Sequence, residues 1–432
     1  MSTPRILTAR EFQLADGTRD WRVLGAGANA WFVTSSHRAG ADVAARVLTT
    51  APRGAVDIDV RERGVQVRIP YPDGGFTDEH FALAARISAA AQELGLMPDP
   101  SAVQDVQLTM DTLDQEAVMP FWQTALGYAR SEDDLVDPQR RTPPIWFQDQ
   151  DAPRPLRNRL HLDIARAQEI GAATVEAAPG LGARVAAHGY HATVTDAEGN
   201  EADLLPLEPG SDRWDAPGTE DWRLLFAAVA GYPTSSPEDA AALVTAVANL
   251  ADAAGLPLGI DVRADLVVLG TAKDAWEMND GYRALAARVQ QVARAAGLVA
   301  DPARPGFVQV VVDAVDIPAV RRFWVAALGY EPDPRAGVTD IVDPRGLGMP
   351  VVFQDLDATD TARRAQRNRL HVDVFLPDDQ ARARVDAALA AGGRVVRHPE
   401  SPEWWTLADP EGNEVDLTFS VGREEAWQAA SG

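Results

Sequence analysis

At 432 residues the chain is too long for one ordinary hydrophobic core, and its length asks for three or four domains. A hydrophobic share of 46% and a charged share of 24% are those of a folded globular protein; the absence of cysteine excludes disulfides, thiolate metal sites and cysteine nucleophiles. The formal net charge of −24 repels phosphate backbones, so nucleic acid is not an expected partner; any small-molecule ligand is expected to be neutral or cationic, or else met by a local arginine cluster.

No apolar run approaches the length that spans a bilayer, and Met1-Ser2-Thr3-Pro4-Arg5 lacks the basic-then-apolar pattern of a secretory leader. The expectation is a cytoplasmic protein without a membrane partner. Lys273 is the sole lysine, which argues against Schiff-base chemistry repeated in two places.

The chain is one unit written twice. Asp20-Trp21-Arg22 recurs as Asp221-Trp222-Arg223, Ala125-Leu126-Gly127-Tyr128 as Ala327-Leu328-Gly329-Tyr330, and Phe147-Gln148-Asp149 as Phe353-Gln354-Asp355. Arg157-Asn158-Arg159-Leu160-His161-Leu162-Asp163 returns as Arg367-Asn368-Arg369-Leu370-His371-Val372-Asp373, and Asp196-Ala197-Glu198-Gly199-Asn200 as Asp409-Pro410-Glu411-Gly412-Asn413. The order is kept while the offset grows from 201 to 213 residues, as loop insertions require. Proline-bearing joints near residues 100 and 302, with a linker from Pro206 to Gly218, divide the chain into 1–100, 101–208, 209–303 and 304–432. A duplication of this kind offers intramolecular pairing of the two copies.

In the leading segment of the first copy, Ala30-Trp31-Phe32-Val33 reads as a strand and 41–48 as a helix. Val56 to Val60 and Val65 to Ile69 alternate around a tight Glu62-Arg63-Gly64 turn, which predicts a hairpin. Thr77 reads as an N-cap with His80 at the capping-box position, and Gly95 as the stop of the last helix. Asp20-Trp21, the hairpin, Gly74-Gly75-Phe76-Thr77 and the alanine-rich helix together resemble pterin-4a-carbinolamine dehydratase. That family's His-His-Pro run falls here on Gly54-Ala55-Val56 and Leu256-Pro257-Leu258. Neither offers a group that gives and takes a proton near neutral pH, so dehydratase activity is not expected.

The trailing segments read as two successive βαβββ modules each. In the first copy these are Val106 to Met110, a helix from Asp114 to Gly127, Pro144 to Gln148, then Leu160 to Ile164, a helix, Ala192 to Thr195 and Glu201 to Leu205. This order, with the aromatic helix ending in Leu-Gly-Tyr, resembles the glyoxalase-like branch of the vicinal oxygen chelate superfamily. The expected fold class is α+β: a tandem duplication of a dehydratase-like sandwich followed by a glyoxalase-like half-barrel of paired modules.

The resemblance implies up to four side chains converging on a divalent metal. By position these are Asp105, Gln148, His161 and Asp203 in the first copy, and Phe307, Gln354, His371 and Asp416 in the second. Phe307 has no lone pair, so the second set is incomplete; no cofactor is assigned outright, and the first set is the candidate for a divalent metal. Each histidine equally reads as a core residue paired with the aspartate two positions on, on the same strand face. Trp404-Trp405 stands where the first copy has His191-Ala192, and stacking or core packing would both suit it. Three functions remain open on these residues: a glyoxalase-like small-molecule binder with little or no catalysis, a metal-dependent lyase, isomerase or dioxygenase, and a multidomain scaffold.

Overall fold

The computed structural model describes residues 5–72, 75–397 and 404–423, so Gly74 lies outside them. The four segments assemble as two layers, one from the leading pair and one from the trailing pair. Among the described residues no helix is long and apolar enough to cross a membrane.

In the leading layer, the alternating hairpin forms as strands Asp57–Arg61 and Gly64–Pro70, and its counterpart as Gly259–Val262 and Leu266–Gly270. The two copies join edge to edge, Ile58 opposite Val262 and Val60 opposite Ile260, giving one continuous sheet. Helices His37–Thr50 and Pro237–Ala254 pack together across the join, and a single apolar core runs beneath both copies. The repeated tryptophans are the centres of this core: Trp21 Nε1 donates to Ser88 Oγ at 3.0 Å and Trp222 Nε1 to the Ala286 carbonyl at 3.2 Å. His37 ties the copies as well. Its Nε2 accepts from the Leu258 N–H at 3.1 Å, which leaves Nδ1 to donate to Asp252 at 2.7 Å.

Strand alternation sends Asp57, Asp59 and Arg61 to the opposite face, toward the trailing layer. Asp57 is fully buried there between Arg68, Arg140 and Arg263. Burial alone would raise its carboxyl, but the Arg140 hydrogen bonds and the charges of Arg263 and Arg68 outweigh this and hold it down at about 2.

The trailing layer contains two eight-stranded sheets, and neither belongs to one copy. Strand Asp105–Thr112 of the first copy pairs antiparallel with Leu370–Phe375 of the second, His371 opposite Thr109. Reciprocally, Leu160–Arg166 pairs with Gly306–Ala314, His161 opposite Val311. Each half-barrel is thus one module from each copy. The apolar faces of both sheets and helices such as Gln115–Leu126 and Ile317–Leu328 share one core, leaving the opposite faces as two cups.

The repeated Arg-Asn-Arg motif clasps the second modules of the two copies together. Asn158 Oδ1 accepts from the backbone N–H of Arg369 at 2.9 Å, and Asn368 Oδ1 from that of Arg159 at 2.8 Å. Arg369 reaches across to the first copy's Asp-x-Glu-Gly-Asn turn, donating to Asn200 Oδ1 at 2.8 Å and the Gly199 carbonyl at 2.8 Å. Arg159 does the same at Asn413, at 2.9 Å. Both guanidinium groups are buried. The turns they grip also hold the helix tryptophans, Trp122 on Asp196 at 2.9 Å and Trp324 on Asp409 at 3.1 Å.

Arg369→Ala strands several buried carbonyl acceptors and is expected to lower stability by about 3 kcal/mol or more in urea unfolding. Asp57 has a folded pKa below its unfolded value, so its contribution is full above about pH 4 and is lost as pH falls toward 2. Asp57→Asn is therefore expected to cost about 2 kcal/mol at neutral pH, with the gap to wild type narrowing across that acid window.

Candidate functional site

Each cup is floored by the exchanged strand pair. In the first, Gln107 and Thr109 from the first copy face His371 and Asp373 from the second, with Asp416 on the neighbouring strand at the register position of Asp373. His371 Nε2 lies 3.5 Å from Asp373 Oδ1, and one ligand atom from each of His371, Asp373 and Asp416 falls within 4.8 Å of the others. Thr109 donates to Asp373 Oδ2 at 2.7 Å. Asp373 Oδ1 and Asp416 Oδ1 are buried without a hydrogen-bond donor among the described residues.

Burial pushes the Asp373 carboxyl up to about 6; the His371 charge opposes this and the Asp416 charge adds to it. Asp416 is pushed up by burial too. The cleft above this cluster has a volume of about 890 Å³, with Trp146, Trp404 and Arg367 on its walls.

The second cup repeats the donor set as Gln309, His161, Asp163 and Asp203. His161 Nε2 stands 3.7 Å from Asp163 and 3.9 Å from Asp203, and Gln309 Nε2 donates to Asp163 Oδ2 at 2.7 Å. Burial pushes Asp163 up. The surroundings differ: Val311 replaces Thr109, Val352 stands where Trp146 does, and His191 where Trp404 does.

Lys273, from the leading layer, reaches Asp340 on the floor of this cup, at the position that Asp134 holds in the first. The Lys273 ammonium also lies 5.4 Å from the centroid of the Phe226 ring, which packs on Phe307 with 5.5 Å between centroids. The loop carrying it is fastened by Arg335, which pairs with Asp274 at 2.9 Å.

The structure regroups the residues expected from sequence. Gln148 shares a cup with His371 and Asp416, and Gln354 lies in the sheet of His161 and Asp203, because modules pair across copies. Asp105 is four residues from Thr109 along its strand, about 13 Å at a strand's rise, and its carboxylate accepts from the Ala26 N–H at 2.8 Å. It therefore stands away from the donor cluster, and its counterpart Phe307 costs the second cup nothing.

Gln107 and Gln309 occupy the first-strand position instead. The available signal was their identity in both copies, where Asp105 and Phe307 differ. Gln148 and Gln354 spend their amide nitrogens on Asp111 and Asp313, each at 2.5 Å. Alternation also divides the tryptophan pair: Trp404 faces the cleft beneath Arg397 (5.8 Å from the ring centroid), whereas Trp405 is buried in the shared core.

Removing the ammonium by Lys273→Met leaves the Asp340 carboxylate, itself 6% exposed, without its partner. The expected cost is about 3–5 kcal/mol in urea unfolding.

Two stretches of the chain, residues 107–205 and 309–418, match the family model described as glyoxalase-like domain. No curated protein matches the chain at a significant level. Among solved structures, glyoxalase I from Zea mays is similar at 11% identity with a TM-score of 0.39, over 76% of this chain and 96% of that one. The cppA protein from Streptococcus pneumoniae TIGR4 is similar at 9% identity and TM-score 0.32, over 73% and 97%. A glyoxalase-related enzyme from Fulvimarina pelagi is similar at 16% identity and TM-score 0.20, over 26% and 85%. The chain carries glyoxalase-like domains of the vicinal oxygen chelate superfamily in two regions, one in each copy.

Proposed function

We propose that this is a small-molecule-binding protein whose working site is the tryptophan-walled cup, organised on a divalent cation. The observation that carries the reading is the convergence of His371, Asp373 and Asp416 with two buried carboxylate oxygens that lack donors. An unpaired buried carboxylate oxygen is costly, and a hard or borderline cation satisfies it. His371, Asp373 and Asp416 would hold the ion, with Gln107 beside them. Bound there, such an ion would polarise an oxygen of the ligand.

The chain's own groups do the rest. Thr109 fixes the Asp373 carboxylate, and Arg367, paired with Glu414 at 2.8 Å, sets charge at the rim. Trp146 and Trp404 give the cleft two flat walls. An open cleft of this size supports binding over scaffolding alone. The first and third segments, 1–100 and 209–303, would serve as dehydratase-like scaffolding without that activity. Val56, Leu256 and Leu258, at and beside the places of the missing histidines, are buried apolar residues.

Titration of metal-stripped protein with Mn²⁺ or Zn²⁺, read by calorimetry, tests this. Saturable binding is expected, weakened about tenfold or more by His371→Ala and by Asp416→Asn. Absence of saturable binding in wild type, or wild-type affinity in both variants, would overturn it.

A further inference from the structure

A second cavity system lies between the layers, behind the tryptophan cup. It comprises chambers of about 420 Å³ and 740 Å³ that share Arg61 and Arg141 on their walls. Gln107, Asp134 and Phe375 line both the smaller chamber and the cup's cleft, so the two adjoin.

The smaller chamber is rich in arginine although the chain is strongly acidic: Arg61, Arg68, Arg140, Arg141 and Arg263 all line it. Their carboxylates are shared. Asp261 takes Arg61 at 2.6 Å and Arg141 at 2.7 Å, Asp57 takes Arg68 at 3.0 Å and Arg140 at 2.7 Å, and Asp59 takes Arg263 at 2.8 Å. Three further carboxyls line the chamber, Asp105, Asp134 and Asp343, and burial pushes Asp105 up.

Guanidinium donors are left over. Arg141 bonds the protein through Nε, Arg61 through Nε and Nη1, and Arg140 through Nε and Nη2. Both terminal nitrogens of Arg141, Nη2 of Arg61 and Nη1 of Arg140 make no hydrogen bond among the described residues. Arg140 is also held at a backbone φ of 48°, a conformation that costs energy in a residue with a side chain. Guanidinium groups fixed by ion pairs, with free donors on the wall of a cavity, recognise oxyanions.

We propose that this chamber is a binding site for the oxyanion group, phosphate or carboxylate, of a small molecule, separate from the histidine cluster of the cup. The full chain is titrated by calorimetry with inorganic phosphate and with citrate at ionic strength held constant by chloride. One saturable site per chain is expected for at least one probe; whichever binds identifies the group. The affinity should fall about tenfold or more in Arg141→Gln and in Arg61→Gln, with His371→Ala binding as wild type does. Two variants are used because each removes one of two arginines from Asp261, and melting curves show whether each remains folded. Saturable binding by neither probe overturns the proposal, as does wild-type affinity in the folded variants or loss of binding in His371→Ala alone.

Discussion

The arrangement of the trailing layer depends on a reciprocal clasp between the copies. Asn158 and Asn368 each accept from the backbone of the other copy's arginine, and Arg159 and Arg369 each bury a guanidinium in the other copy's Asp-x-Glu-Gly-Asn turn. Buried guanidinium groups persist only when their donors are met. Here they are met when the second modules of the two copies lie against each other. The same turns anchor Trp122 and Trp324 of their own copies, so the clasp is tied to the helix packing. The histidines of the cups are two residues further along the clasped strands. Their placement is a consequence of it.

Much of the fold was legible in the sequence. Period-two alternation located the hairpin strands and both histidine strands, and Asp114 and Gly127 marked the ends of the aromatic helix. The cross-copy pairing was not legible. Alternation states which face a residue takes but not which strand lies beside it, and two near-identical modules offer two near-identical partners. That ambiguity is why Gln148 and His161 were grouped although they occupy different sheets. Asp105 lies two residues before Gln107, which has the same facing and stands opposite Asp373. Lys273 drew attention as a lone lysine, but its reach from the leading layer to Asp340 depends on tertiary contacts alone.

Duplication has produced two cups with equal donor sets and unequal surroundings. One keeps an open cleft with tryptophan walls; the other receives an ammonium tethered by the protein itself. The acidic residues that give the chain its net −24 coexist with an arginine-rich chamber between the layers, where Asp57 and Asp261 each hold two guanidinium groups. Overall net charge is therefore a poor guide to what the interior accepts.

The central claim, that each cup joins modules from opposite copies, has a direct test in this cysteine-free chain. Thr109→Cys combined with His371→Cys places two thiols opposite one another on paired strands, whereas Thr109→Cys with His161→Cys places them in different sheets. With a short thiol-bridging fluorophore such as dibromobimane, the first pair is expected to give the bridged, fluorescent product and the second none. Bridging of Thr109 with His161 and not with His371 would contradict the account.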